Sequence, residues 1–225
     1  MKTIKKLVML ILLFGLICAG VVVYFGHEMY EEAVAAVSVE EKAAAIMAQE
    51  QYTFYDQLPE TYVEAVIAAE DRRFLHHGGF DIVSTSRAAW RNLKQKEIVE
   101  GGSTITQQLG RIMYFSQEKK YTRKVAEVLV ARDLEELYDK EKIFELYVNT
   151  IYFGSGYYNV HDGAKGYFGK LPSEMNAYEA TMLAGIPNAP SVYSPDVNPD
   201  LAEQRRQQVL VCMVDAGYIE AGEIE

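Results

Sequence analysis

Cysteine is nearly missing from this chain. Cys18 and Cys212 are the only two among 225 residues. Cys18 sits inside an apolar N-terminal run, so the two do not pair and there is no disulfide framework. No Cys-x-x-Cys pair and no His/Cys cluster has zinc-ligand spacing. Excess positive charge is missing as well. Twenty-two Lys and Arg face 32 Asp and Glu, for a net charge of -10, opposite in sign to a typical nucleic-acid binder. No convincing alternating run longer than four residues reads as a strand, and there are no repeats and no low-complexity tail. At 49% hydrophobic and 24% charged, the composition excludes disorder. What remains is one mainly α-helical domain with room for a real core.

The clearest feature that is present lies at the N-terminus. Lys2, Lys5 and Lys6 precede an unbroken apolar stretch from Leu7 to Phe25. As a helix this stretch spans roughly 28 Å, close to the thickness of a bilayer core. The run is long for a signal-peptide core, no small-x-small cleavage site follows, and Ile17 before Cys18 argues against a lipoprotein signal. The expected layout is a cytoplasmic tail at 1–6, a transmembrane anchor at 7–25, a helical membrane-proximal linker at 26–54 and a catalytic domain at 55–225. The three lysines favour a cytoplasmic N-terminus, which leaves everything after Phe25 outside the cytoplasm.

Helical patterning dominates the rest. His27 to Gln51 reads as helix, and Pro59 opens another over Thr61 to Leu75. Further helices are expected over Phe80–Asn92, from a Ser103 cap to about Tyr114, over Arg123–Tyr138 with Thr122 as cap, and over Lys140–Asn149. The final two are Ser173–Gly185 and Leu201–Ala216. Tyr152 to Gly169, rich in Gly and Tyr, reads as irregular. The 16 Tyr suit either a core or a surface that meets sugars or a membrane interface.

Three constellations could carry chemistry. In the helix from Thr61, Val63, Val66, Ile67 and Phe74 form an apolar stripe, and Glu70 falls on it while Asp71 does not. A carboxylate on a core-facing stripe is costly to ionise, which prepares a glutamate for general acid or base work; a structural pairing with arginine is the alternative. Gly101-Gly102-Ser103-Thr104-Ile105-Thr106-Gln107-Gln108 frees the backbone and then opens a helix whose hydroxyls and amides suit sugar hydroxyls. It lacks the lysine spacing of a nucleotide loop. Arg123 and Lys124 lie one turn before Glu127 on one face, near Arg111, Lys119 and Lys120. A helix start with such cations can cradle a pyrophosphate, or the set can be plain ion pairing on a surface helix. Ser116-Gln117-Glu118-Lys119 matches the Ser-x-x-Lys of penicillin-interacting enzymes, but no Ser-Asp-Asn or Lys-Thr-Gly follows.

Taken in order, these segments resemble the family 51 glycosyltransferases, which build peptidoglycan glycan strands. The resemblance rests on Glu70-Asp71-Arg72-Arg73-Phe74 with His77 and Gly79, on Gly101 to Gln108, on Arg123-Lys124-x-x-Glu127, on Ile143-Phe144-Glu145-Leu146-Tyr147-Val148-Asn149 and on Arg205-x-x-x-Val209-Leu210. Leu183 to Ser191 is also family-like. Arg111 stands where the family usually has Lys, and Lys119 where many members have Arg. With the sequence stopping at Glu225, the expectation is a monofunctional member, with a piece of a longer bifunctional protein as the alternative.

The resemblance implies a lysozyme-like helical head with a small membrane-proximal jaw, and an inverting β-1,4 transfer on lipid II. It makes Glu70 the general base and Glu127 its partner at the leaving-group side, with Arg111, Lys119, Arg123 and Lys124 balancing the pyrophosphate. The remaining substrate contacts it implies are Asp71, Phe74, Arg87, Ser103, Thr104, Gln107, Gln108 and Asn149. Glu70, Glu127 and a pyrophosphate could share Mg²⁺ or Mn²⁺, but no dedicated ligand cage is visible. The implied partners are lipid II, the growing lipid-linked strand, the bacterial cell membrane and other cell-wall synthesis proteins, with no nucleic acid. The rival readings are a lysozyme-like lytic enzyme on finished peptidoglycan and a non-catalytic cell-wall scaffold.

Overall fold

A computed structural model describes residues 2–95, 101–116 and 120–224. Helices dominate, and there is no strand among the described residues. The first helix, α1 (Lys2–Ala36), carries the apolar run and continues past it as one element. It is long and apolar enough to cross a bilayer, with a peak mean hydropathy of 2.9. Its outer part packs along α6 (Tyr121–Leu137). Gly26 makes this approach possible, because a Cβ there would lie 2.5 Å from the Val125 Cβ. Farther out, the Tyr30 hydroxyl donates to Asp133 at 2.5 Å.

The helix expected from His27 to Gln51 is in fact two. Ser38 accepts from the Glu41 amide and Glu41 answers at the Ser38 amide, a capping box that stops α1 and opens α2 (Val39–Met47). The next helix, α3 (Glu60–Glu70), stops earlier than expected. Asp71 leaves helical geometry at φ -156°, ψ 75°, and its carboxylate turns inward to accept from the Ile105 amide at 3.0 Å. That long-range bond replaces continuation of the helix. Phe74 lands in a following short turn and is 1% exposed.

Helix α4 (Ile82–Gln95) begins where Asp81 caps it, accepting from the Val83 and Ser84 amides. Burial alone would raise the Asp81 carboxyl, but bonds from Ser84 and Val83 and the Arg73 guanidinium bring it down to about 2. Ala88 is the only buried side chain described on α4, while Ile82, Trp90 and Leu93 are exposed.

The core is built by α3, α5 (Ile105–Tyr114), α6, α7 (Lys140–Val148), α9 (Ala177–Gly185) and α11 (Pro199–Ala216). Gly110 lets α5 press on α6, with Val130 3.0 Å from where a Cβ would stand. Gly79, at φ +68°, passes so close to the Ala131 carbonyl that both its dihedral and its contact require glycine. Two expectations of irregular or differently capped chain fail. The Gly/Tyr segment holds a helix, α8 (Val160–Phe168), opened by an Asn159 cap and closed by Gly169 in the left-handed region. Helix α6 starts at Tyr121 without a side-chain cap, so Thr122 is not its cap. The short α10 (Pro190–Tyr193) leads into α11.

Candidate active site

Helix α5 organises the site. Its N-cap is Thr104 rather than Ser103: the Thr104 hydroxyl accepts from the Gln107 amide at 3.1 Å and donates to the Gly79 carbonyl at 2.6 Å. Thr104 is 2% exposed, so its hydroxyl is spent on the fold. Ser103, one residue earlier, is freed to accept from Lys124.

The adjacent amides Gln107 and Gln108 reach to opposite sides. Gln108 Nε2 donates to Glu70 Oε2 at 2.9 Å. Glu70 ends α3, half-buried, and its Oε1 is buried without a hydrogen-bond partner. Gln107 is fully buried, and its Oε1 accepts from Lys124 Nζ at 2.9 Å. Lys124 also donates to Ser103 Oγ at 2.7 Å and to Glu127 Oε2 at 3.2 Å. Arg123 donates to the other Glu127 oxygen. The set is not surface ion pairing, because Glu127 is 3% exposed. Burial lowers the Lys124 ammonium below the usual lysine range. Glu127 pulls it back up, while Arg111 and Arg123 push it further down. Arg111 lies one turn along α5, with its Nε buried and unpartnered.

A cleft of about 560 Å³ opens over Glu70. Its wall includes Ser103, Arg87 and Arg91, with Arg72 and Arg205 on other elements. A second cavity of about 360 Å³ lies between α1 and the far end of α5, and Arg123 and Lys120 line it. The first turn of α5 thus stands between a carboxylate on one side and a buried cation–carboxylate cluster on the other.

Other expected site residues are committed to the fold or lie outside the described residues. Asp71 borders the cleft, but its carboxylate is committed to the Ile105 amide and to His77 Nε2, 2.9 and 3.0 Å from its two oxygens. Phe74 is core, under the Lys140 ammonium and against Phe144. Asn149 is 1% exposed and clamps Thr53, accepting from its amide at 2.9 Å and donating to its carbonyl at 2.8 Å. Lys119 lies outside the described residues. Sequence reasoning left out Arg72, Arg91, Arg205 and Tyr147. Three of these stand inside quoted motifs, which was the available signal. Arg91 stands in none.

Asp71, His77 and Asp81 bring ligand-type atoms within 4.8 Å of one another. Their oxygens are already used by amides, Ser84, Arg73 and His77, so the group acts as a hub tying α3 to α4 and α5.

Comparison with known proteins agrees with this arrangement. The Transglycosylase family matches residues 39–214. Penicillin-binding protein 1A of Aquifex aeolicus is 46% identical over 168 residues, which cover 75% of this chain and 23% of that protein. Penicillin-binding protein 1F of Bacillus subtilis is 37% identical over 211 residues, 90% of this chain and 30% of that one. A Cupriavidus necator protein named as a transglycosylase is 42% identical over 174 residues, 77% and 75% of the two chains. This chain therefore spans under a third of the two penicillin-binding proteins and most of the third relative. It belongs to the transglycosylase family, the family 51 glycosyltransferases its motifs resemble.

Proposed function

We propose that this chain, a peptidoglycan glycosyltransferase by family, polymerises lipid II at the outer face of a membrane that α1 spans. Glu70 takes the proton from the 4-hydroxyl of the acceptor GlcNAc. That oxygen attacks C1 of the donor MurNAc from the face opposite the diphosphate. The C1–O bond to phosphate breaks, its electron pair leaves with undecaprenyl pyrophosphate, and the α-linkage becomes β-1,4.

One observation carries the reading: a single helical turn holds Glu70 through Gln108 and Lys124 through Gln107. Base and cation cluster are thereby fixed relative to each other before substrate arrives, which is how positioning lowers a barrier. Glu70 Oε2 is anchored by Gln108, and Oε1 has no hydrogen-bond partner among the described residues. Lys124, Arg123 and Arg111 meet the charge that develops on the leaving diphosphate. Both Glu127 oxygens are held by these cations, so a divalent ion would have to displace them.

Support for a membrane-proximal lobe comes from α4, whose Ile82, Trp90 and Leu93 stay exposed at 68%, 69% and 74%. The deciding experiment offers lipid II and finished glycan strands in parallel. New strands from lipid II are expected. Cleavage of finished strands with no polymer from lipid II would replace this reading with a lytic one.

A further inference from the structure

We infer that Tyr147 is a positioning residue for the base: its hydroxyl anchors the oxygen end of the Gln108 amide, and so holds the Glu70 carboxylate in working orientation. The inference rests on Glu70 being the base.

An amide side chain can present either its oxygen or its NH₂ in nearly the same space, so something must decide. A carboxylate only accepts, so the NH₂ of Gln108 must face Glu70 Oε2, and it does at 2.9 Å. The amide oxygen then points the other way. There the Tyr147 hydroxyl donates to it at 3.2 Å. The two bonds form a chain with one direction, from hydroxyl to amide to carboxylate.

The hydroxyl is held both in place and in its protonated form. Tyr147 is 0% exposed, and so are its α7 neighbours Phe144, Leu146 and Val148. Next to it, Glu145 accepts from the Tyr52 hydroxyl and the Tyr55 amide, while Asn149 clamps Thr53. The end of α7 is therefore rigid. Burial first, and then the charge of Glu70, push the Tyr147 hydroxyl well above its ordinary range, so it stays a donor.

Packing does not explain the hydroxyl. Tyr62 is equally buried and its hydroxyl has no hydrogen-bond partner among the described residues. The Tyr147 hydroxyl has one, and that partner is the amide on Glu70. With phenylalanine at 147 the Gln108 oxygen would lose this donor. The amide would be held from one end only, and the carboxylate would lose part of its restraint.

The test is lipid II polymerisation by the full chain carrying Tyr147→Phe, Gln108→Leu, both together, or Glu70→Gln. Tyr147→Phe is expected to lower kcat about tenfold and leave KM within about twofold, since the residue acts through the base and not on substrate. Gln108→Leu cuts the same chain from its half-buried end and is expected to lower kcat at least as much. Adding Tyr147→Phe to Gln108→Leu is expected to cost no more than about another twofold, because two members of one chain do not add. Full kcat in either single variant would overturn the inference, as would equal further loss in the double variant or a loss confined to KM. If Tyr147→Phe does not fold, Gln108→Leu alone decides. Glu70→Gln separates the two levels: full activity there removes the base itself, whereas the other failures remove only the role of Tyr147.

Discussion

Glu70 and Glu127 are both carboxylates drawn out of water beside α5, and they are held in opposite ways. Glu70 takes one bond, from a neutral amide, and keeps a buried oxygen unpartnered. Glu127 has a cation on each oxygen. A carboxylate gripped by two cations keeps those cations in place. On the proposed mechanism the same residue type would serve chemistry on one side of a helix and hold cations on the other, with Gln107 and Gln108 between them.

Substitution can break or sharpen this contrast. The largest effect is expected from Glu70→Gln: polymerisation should fall by about 10³-fold or more, while the melting temperature stays close to that of the parent chain. Should Glu70→Gln stay active and Glu127→Gln be dead, the two roles are exchanged. Glu127→Gln comes next and should cost both activity and stability. We expect about a 10²-fold drop and a loss of roughly 3 kcal/mol in denaturant unfolding, because the buried Glu127 carboxylate that Arg123 and Lys124 donate to would be replaced by a neutral amide. Lys124→Met should raise KM for lipid II about tenfold with a smaller change in kcat.

The buried ammonium also sets a pH limit. Burial makes Lys124 release its proton at a lower pH than an ordinary lysine, so as pH rises its charge is lost before the ordinary 10.5 is reached. The alkaline limb of polymerisation should therefore fall below pH 10.5, and Lys124→Arg should move it upward. Ser103→Ala, which removes one of three acceptors from Lys124, should cost only about threefold. Smallest of all is the response to EDTA. With both Glu127 oxygens on cationic side chains, activity should change by no more than about twofold.

Periodicity gave the faces but not the ends. Val63, Val66 and Ile67 put Glu70 on the right stripe, and one-turn spacing put Arg123 and Lys124 beside Glu127, because both follow from helix geometry alone. The stop at Asp71 was not legible, since it depends on an amide 34 positions away. The Thr104 cap was missed for a similar reason: Ser103 and Thr104 are equal as local caps, and only the Gly79 carbonyl and Lys124 separate them. Helix α8 was hidden by reading glycine as a breaker. Gly163 and Gly166 lie inside it because the Phe153 and Tyr157 rings pack where side chains would stand. Tyr147 was quoted within a motif yet given no role, because its meaning lies in the direction of a hydrogen bond.

The contact at Gly26 reaches beyond the cleft. There α1 presses on α6 without room for a single methyl, and α6 bears Arg123, Lys124 and Glu127. In the proposed bilayer setting, anchor and cation cluster move as one piece, so the enzyme works at a constant altitude above the lipid. On the proposed function a lipid-anchored substrate would reach that cluster by gliding in two dimensions, at a height the anchor sets.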